Sequence, residues 1–398
     1  MSSSTFQPTP PAGPGPMRQF EVYLQGLMGG VKPVVPMSFP ELEAKAREKL
    51  TPEAYAYVAC GAGAEDTIAE NDAAFDRWRI VPRMLRDVAQ RDLSIELFGR
   101  KLNTPLLIAP IGVQELVDKD ADLATARAAA AERVPMIFSN QASVPMETTA
   151  AVMKDQPRWF QLYWSKSDDL IASLVRRAET CGCDAIVITL DTTLLGWRTR
   201  DLDYAYLPFF RGLGLAQYTS DPVFRGMLKK PPEEDMLAAA QLFASIYSNP
   251  ALTWEKLKSL RNHTSKPILL KGINRADDAL KALDYGIDGL IISNHGGRQV
   301  DGARAALDGL DEIARAVHAE VPVLFDSGIR GGAGIFKALA LGATAVCVGR
   351  PYVYGLALAG EAGVRAVLRN MIADLDLTMG TAGCASIAEV NRDMLVRV

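Results

Sequence analysis

No stretch of this sequence stays apolar for the roughly 20 residues that a membrane-spanning helix needs. Nor is positive charge in excess: 43 Lys and Arg stand against 47 Asp and Glu, a net charge of −4. Without a basic stripe, nucleic acid is not expected among the partners. Cysteine is sparse, five residues at irregular spacing: Cys60, Cys181, Cys183, Cys347 and Cys384. An odd number with no CxxC pair supports neither a zinc site nor a disulfide framework. Reduced thiols and a cytoplasmic location are therefore expected, with a peroxisomal one left open. The dinucleotide fingerprint GxGxxG is missing, since "GAGAED" and "GLGLAQ" both lack the third glycine. Histidine is scarcer still, at three in 398 residues.

What remains is an ordinary soluble composition, 48% hydrophobic and 23% charged, in a chain long enough for a large core. The opening "MSSSTFQPTPPAGPGP" is rich in Ser, Pro and Gly and has no apolar centre, which reads as a disordered arm rather than a signal peptide. The arm is taken as residues 1–18, and residues 19–398 as a single domain. Beyond it, short apolar runs recur, each followed by a helical pattern: "PLLIAP" (105–110), "PMIFS" (135–139), "RWFQLY" (158–163), "DAIVITL" (184–190), "PILLK" (267–271), "GLIIS" (289–293), "PVLFD" (322–326) and "AVCVG" (345–349). Runs apolar on both faces suit a parallel sheet covered by helices. Eight such units predict the α/β class and a (β/α)₈ TIM barrel over about residues 99–370. Residues 20–98 read as an N-terminal helical cap with a small strand pair. Residues 191–250 form a long loop after strand four, and connections of that length carry function or move.

In such barrels the chemistry sits at the C-terminal ends of the strands. Polar and glycine residues gather there: Ala109-Pro110-Ile111-Gly112, Ser139, Gln161 and Tyr163, Thr189 and Asp191, Lys271, Ser293 and His295, Asp326 and Gly328, Gly349 and Arg350. Any one of them is an ordinary cap or turn residue, but together at one rim they mark a site. "DSGIRGG" (326–332) and "GRP" (349–351) follow strands seven and eight, where barrels bind phosphate on backbone N–H groups and a helix N-terminus. A ligand with a single phosphate fits this better than NAD: FMN, pyridoxal phosphate or a sugar phosphate. Lys271 is the one lysine at a strand end that a pyridoxal Schiff base would need.

"SNHGGRQ" (293–299), with "DSGIRGG", "GRPYVYGLALAGEAGV", "FQLY", "ITLDT" and "KGI", resembles the FMN-dependent L-2-hydroxy acid oxidases and dehydrogenases. The likeness runs in order from about residue 20 to 395. Within that family it is most similar to the lactate monooxygenase branch, through "QGLMGGV", "PRML", "RDLSIELFG", "APIGV", "GWRTRDL" and "SDPVF". The resemblance implies FMN as cofactor, a small L-2-hydroxy acid and O₂ as reactants, no membrane, and a homotetramer or homo-octamer. It implies His295 as the base, paired with Asp191. Arg198 and Arg298 would clamp the substrate carboxylate, a task for the guanidinium fork. Tyr57 and Tyr163 would donate hydrogen bonds to the substrate. Lys271 would face the flavin N1–C2 edge. Ser139, Gln161 and Thr189 would bond the ring, Asp326 the ribityl chain, and Gly328, Arg330, Gly349 and Arg350 the phosphate.

The finer expectation is L-lactate as substrate. If pyruvate stays in the site, peroxide decarboxylates it to acetate, CO₂ and water; if it leaves, the enzyme is an oxidase releasing peroxide. Gly112, where many members have Ala, favours the former through a missing methyl near the flavin. Gln141 stands where glycolate oxidases have Trp. The side-chain pocket is expected around Trp164, Leu194 and Leu195.

Overall fold

The structure, a computed structural model, describes residues 12–398. Eight parallel strands close into a barrel: β1 (Leu106–Ile108), β2 (Met136–Phe138), β3 (Arg158–Leu162), β4 (Ile186–Thr189), β5 (Ile268–Ile273), β6 (Gly289–Ile292), β7 (Val323–Phe325) and β8 (Ala345–Val348). Closure is between β8 and β1, with Val348 opposite Ile108. All eight lie on the predicted apolar runs.

The period-2 alternation of strand side chains splits the buried residues into two groups. Leu107, Ile137, Trp159, Val187, Leu269, Ile291, Leu324 and Cys347 form one, filling the barrel interior. Their strand neighbours, such as Leu106, Phe138, Phe160, Ile188 and Leu290, join the larger layer between strands and helices. The strand pair before the barrel is the hairpin Ile95–Leu97 with Arg100–Leu102, whose second strand falls just past the expected 20–98. Leu97 and Leu102 complete the inner group, and Phe98 packs on Trp159 at 5.7 Å between ring centroids. The hairpin therefore plugs the barrel floor and leaves the opposite rim for the site.

The predicted boundary of the arm does not hold. A helix begins at Pro14 and runs to Gly29, so residues 14–18 are helical; residues 1–11 of the expected arm lie outside the described residues. Tertiary anchors override the Pro/Gly composition. Gly15 N–H donates to Asp376 Oδ2 at 2.9 Å, and Arg18 donates to Asn370 Oδ1 at 2.9 Å. The segment between β4 and β5 is likewise built of short helices, including Thr199–Asp203, Pro222–Gly226 and Met236–Ile246. Asp221 and Asp235 cap the latter two through side-chain carboxylates.

Candidate active site

The rim opens into a cleft whose empty space, open solvent included, is about 1090 Å³. The turn that carries His295 is fixed by the residues that follow β6. His295 adopts a left-handed backbone (φ 58°), and its N–H donates to Ser293 Oγ at 3.0 Å. Gly296 (φ 64°) and Gly297 (φ 78°) continue the turn. A Cβ on Gly296 would lie 2.8 Å from Arg350 Nη1, and one on Gly297 2.8 Å from the backbone of Ile68. Only glycine allows this approach.

His295 Nδ1 is 2.7 Å from Asp191 Oδ1, and Thr192 Oγ1 donates to the same carboxylate oxygen at 3.0 Å. Burial pushes the Asp191 carboxyl up, but His295 and Lys271 outweigh it and bring it down to about 2. Burial holds His295 below the ordinary imidazole range, against the pull of Asp191. The pair is thus a neutral imidazole on an ionised carboxylate, with Nε2 left free to take a proton.

Lys271, at the end of β5, donates to Ser293 Oγ at 2.8 Å and lies 3.2 Å from Asp326 Oδ2 and 3.7 Å from Asp191 Oδ2. Burial alone would lower it, but Asp326 and Asp191 hold it above the ordinary lysine range. A Schiff-base lysine needs the reverse, a depressed pKa, so the pyridoxal alternative loses its residue. Gly272 follows with φ 103°, and a Cβ there would come within 2.8 Å of Asp191 Cβ.

Two guanidinium groups face the cleft beside His295. Arg298 Nη1 donates to Tyr57 O at 2.6 Å and Cys60 O at 3.0 Å, with its guanidinium 5.3 Å from the Tyr57 ring centre. Arg198 Nη2 donates to Gln299 Oε1 at 2.9 Å, and Gln299 Nε2 donates back to Asp191 O at 2.8 Å. Neither guanidinium meets a carboxylate. Burial, then the neighbouring Arg298, lowers Arg198. Such a pair is suited to a carboxylate ligand.

At the other end, Arg350 donates only to backbone carbonyls, those of Val58 (3.2 Å), Gly296 (2.9 Å) and Cys60 (3.0 Å). Burial, with Arg298 and Arg330 nearby, presses it down to about 10. Arg330 lies 3.4 Å from Asp72 Oδ1 and stacks over Phe39. Gly349 caps the long helix that starts at Arg350. An anion at this crowded positive end relieves repulsion, which is what a phosphate does. Along the strand ends between, Asn140 Nδ2, Gln161 Nε2 and Thr189 Oγ1 are buried without a partner. Unpaired buried donors need a ligand or water. The donor set therefore fits FMN, polar ring edge and phosphate alike.

Sixteen of the expected residues line this one cleft: Tyr57, Ala109, Pro110, Ile111, Gly112, Ser139, Tyr163, Arg198, Lys271, His295, Arg298, Asp326, Gly328, Arg330, Gly349 and Arg350. Asp191, Gln161, Thr189 and Ser293 stand behind it, as partners of lining residues or at the strand ends. Leu195 lines the cleft as expected, but Trp164 is buried away from it and Leu194 points to solvent at 66% exposure, so neither shapes the pocket. Phe209 and Tyr247 take that place, and sequence reasoning missed both. Phe209 lies in the 191–250 segment, which the sequence marks only by its length; nothing marks Tyr247, the residue after a helix end. The methyl absent at Gly112 does not leave open space: a Cβ would sit 2.7 Å from Gln141 O and 2.9 Å from Gln141 Cβ. The space is filled by the neighbouring loop.

The family model for FMN-dependent dehydrogenases matches residues 46–397. The chain is 43% identical to an FMN-dependent alpha-hydroxy acid dehydrogenase of Penicillium citrinum, over 96% of this chain and 95% of that one. It is 41% identical to an L-lactate oxidase of Lysinibacillus sphaericus, over 91% and 93%. Among solved structures it resembles mandelate oxidase, with 38% identity, a TM-score of 0.81, and 92% of this chain and 99% of that one covered. The fold, the cleft and these relatives agree, and the chain belongs to the family of FMN-dependent 2-hydroxy acid oxidases and dehydrogenases.

Proposed function

We propose that this FMN-dependent oxidoreductase takes L-lactate and O₂ and yields acetate, CO₂ and water, the reaction of a lactate 2-monooxygenase. The observation that carries the proposal is a neutral, carboxylate-backed histidine in the same cleft as two arginines without carboxylate partners. Arg198 and Arg298 bind the substrate carboxylate. Tyr57 and Tyr163 donate hydrogen bonds to the carboxylate and the hydroxyl, and burial keeps both phenols protonated, Tyr57 pushed up to about 12. His295 Nε2 takes the substrate's proton, and the ionised Asp191 orients and stabilises the imidazolium that results. FMN, when bound, would supply the two-electron acceptor for the substrate α-carbon and the electron donor to O₂. Lys271, Ser139, Gln161, Thr189 and Ser293 hold its ring with Ala109–Gly112. Asp326 holds the ribityl chain, and Gly328, Arg330, Gly349 and Arg350 the phosphate.

The choice of product rests on what covers the cleft. Leu195, Phe209 and Tyr247 all come from the segment between β4 and β5 and line the cleft; in this reading they cover the substrate end. Pyruvate held under this cover reacts with peroxide to give acetate, CO₂ and water. The alternative is an oxidase that releases pyruvate and H₂O₂ separately, on lactate or another L-2-hydroxy acid; relatives named for lactate and mandelate bracket the range.

The proposal extends to a homotetramer or homo-octamer in the cytoplasm. Phe20, Tyr23, Leu27 and Met28, exposed on the first helix, offer an apolar face for such assembly, and light scattering gives the mass directly. Among the described residues no helix is long and apolar enough to cross a membrane.

The test is the visible spectrum under anaerobic addition of L-lactate and, separately, D-lactate. Bleaching with the L isomer alone is expected, followed in air by acetate equal to the O₂ consumed. Stoichiometric pyruvate and peroxide would move the protein to the oxidase reading. A yellow protein that ignores L-lactate would move it to larger hydroxy acids.

A further inference from the structure

Behind the wall formed by Ile111 and Gly112 lies a buried carboxylate that the proposed chemistry does not use. Asp122, 1% exposed, sits in the first turn of the helix Ala121–Glu132. Its Oδ2 accepts from the backbone N–H groups of Ser143 at 2.7 Å and Val144 at 3.2 Å. Its Oδ1 accepts from Gln114 Nε2 at 3.2 Å. Gln114 Nε2 also donates to Ile111 O at 3.1 Å, and Gln114 Oε1 accepts from Thr125 Oγ1 at 2.6 Å. Every partner of Asp122 is a donor. The ionised acid is the form this arrangement satisfies.

The wall it braces is strained. Val113, between Gly112 and Gln114, has φ 58° and ψ 37°, a left-handed conformation that β-branched residues avoid. Its N–H donates to Gln141 O at 2.9 Å, which ties the β1 turn to the β2 loop. Glu115 extends the tie: its N–H donates to Ser143 Oγ at 3.1 Å, and its Oε1 accepts from Gly214 N–H at 2.7 Å. Strain of this kind persists only where the surroundings over-determine it. Asp122 is bonded to both loops at once.

We propose that Asp122 is a positioning residue for the cofactor wall: as a carboxylate it holds the Ile111–Gln114 turn and the Gln141–Val144 loop in place, and its protonation releases them. The inference rests on FMN occupying the cleft. A protonated Asp122 must donate its O–H, and the Gln114 amide turns over to accept it. Nε2 then faces Thr125, and Ile111 O loses its donor. Burial pushes the Asp122 carboxyl up to about 7, with Ser143 and Val144 pulling it down and Glu115 pushing it further up. Tyr352, whose hydroxyl donates to Ala109 O at 3.1 Å, is the other titratable group facing it, and burial keeps that phenol protonated.

FMN binding to the stripped protein, followed by flavin fluorescence from pH 6 to 8.5, tests this in the wild type and in Asp122→Asn, where the amide stands in for the neutral acid. Wild-type affinity is expected to fall about tenfold as pH drops through 7, the scale of losing one hydrogen bond to a charged group. Asp122→Asn is expected to bind about tenfold more weakly at pH 8 and to show no step near 7. The titration of the flavin phosphate, near pH 6, is common to both proteins. If the variant does not fold, the wild-type holoenzyme alone decides: its visible band is expected to shift with a midpoint about one pH unit below the value of about 7 in the unliganded protein, the displacement that a tenfold preference of FMN for the carboxylate requires. An invariant spectrum, or equal FMN affinity in both proteins at every pH, overturns the role of Asp122 and leaves the cofactor reading intact. Failure of the wild type to take up FMN at any pH overturns both.

Discussion

His295 and Asp122 are both buried groups, and burial acts on them in opposite senses. For the imidazole it disfavours the cation, so His295 stays neutral and ready to accept a proton at neutral pH. The rate should therefore rise with pH through a value below 6.5 and level off above it, read as kcat/KM against pH. Asp191→Asn removes the charge that stabilises the imidazolium, and kcat should fall by about a hundredfold or more. For Asp122 burial disfavours the anion. A carboxyl raised to about 7 in the folded chain stabilises the fold fully below its unfolded value, and that contribution is lost as pH climbs through 7. Asp122→Asn should accordingly melt higher than the wild type at pH 8 while binding FMN more weakly. Melting curves at pH 8 that favour the wild type would show that the carboxylate contributes net stability and is not strained into place. Ordinary scaffolding residues do not divide stability and binding in this way.

Elements here are positioned by close approaches that only glycine permits. The helix Arg350–Ala382 is broken at Ala359 and Gly360, and its two arms touch where a Cβ on Gly363 would fall 1.9 Å from Gly355 O. Gly363→Ala cannot be accommodated by a rotamer change, and the arms must separate. A loss of at least about 1–3 kcal/mol is expected, measured by urea unfolding, with weaker phosphate binding because the first arm begins at Arg350. The segment between β4 and β5 depends instead on an aromatic row: Phe209 on Phe243 at 5.1 Å, and Phe243 on Tyr247 at 4.8 Å. Phe243 is buried against the two cleft residues and holds them in the cleft wall, over the substrate end of the proposed reading. Phe209→Ala opens this cover, and the share of pyruvate and peroxide among the products should rise several-fold relative to acetate, in line with about 1–3 kcal/mol for a lost contact of this size.

At the scale of the whole molecule, periodicity made the barrel legible because each strand is apolar on both faces and several helices stop near a glycine, as at Gly182, Gly286, Gly342 and Gly383. The polar rim was legible for the same reason, since polar residues at strand ends stand out against apolar runs. What could not be read were contacts between segments distant in sequence. Phe209 and Tyr247 look like any core aromatics until the chain folds, and Gly112 is explained by Gln141, a residue in the loop after the next strand. The arm was misjudged at its inner boundary because composition does not reveal a distant acceptor. That acceptor is Asp376, wholly buried, which takes Arg91 Nε at 2.7 Å and Nη2 at 2.8 Å together with Gly15 N–H. Arg91 Nη2 also donates to Ala12 O at 3.0 Å. One ion pair thus joins the start of the chain, the segment before the barrel and the last helix. Replacing both charges by apolar groups would be tolerable, but removing one strands the other in a dry interior. Arg91→Leu should therefore cost about 3–5 kcal/mol and release the first helix to protease, whereas Arg91→Leu with Asp376→Leu should recover most of the stability. Limited proteolysis beside thermal melting separates the cases: a single variant that melts and resists protease like the wild type would show that the N-terminal helix is held by its packing on the last helix and not by this pair.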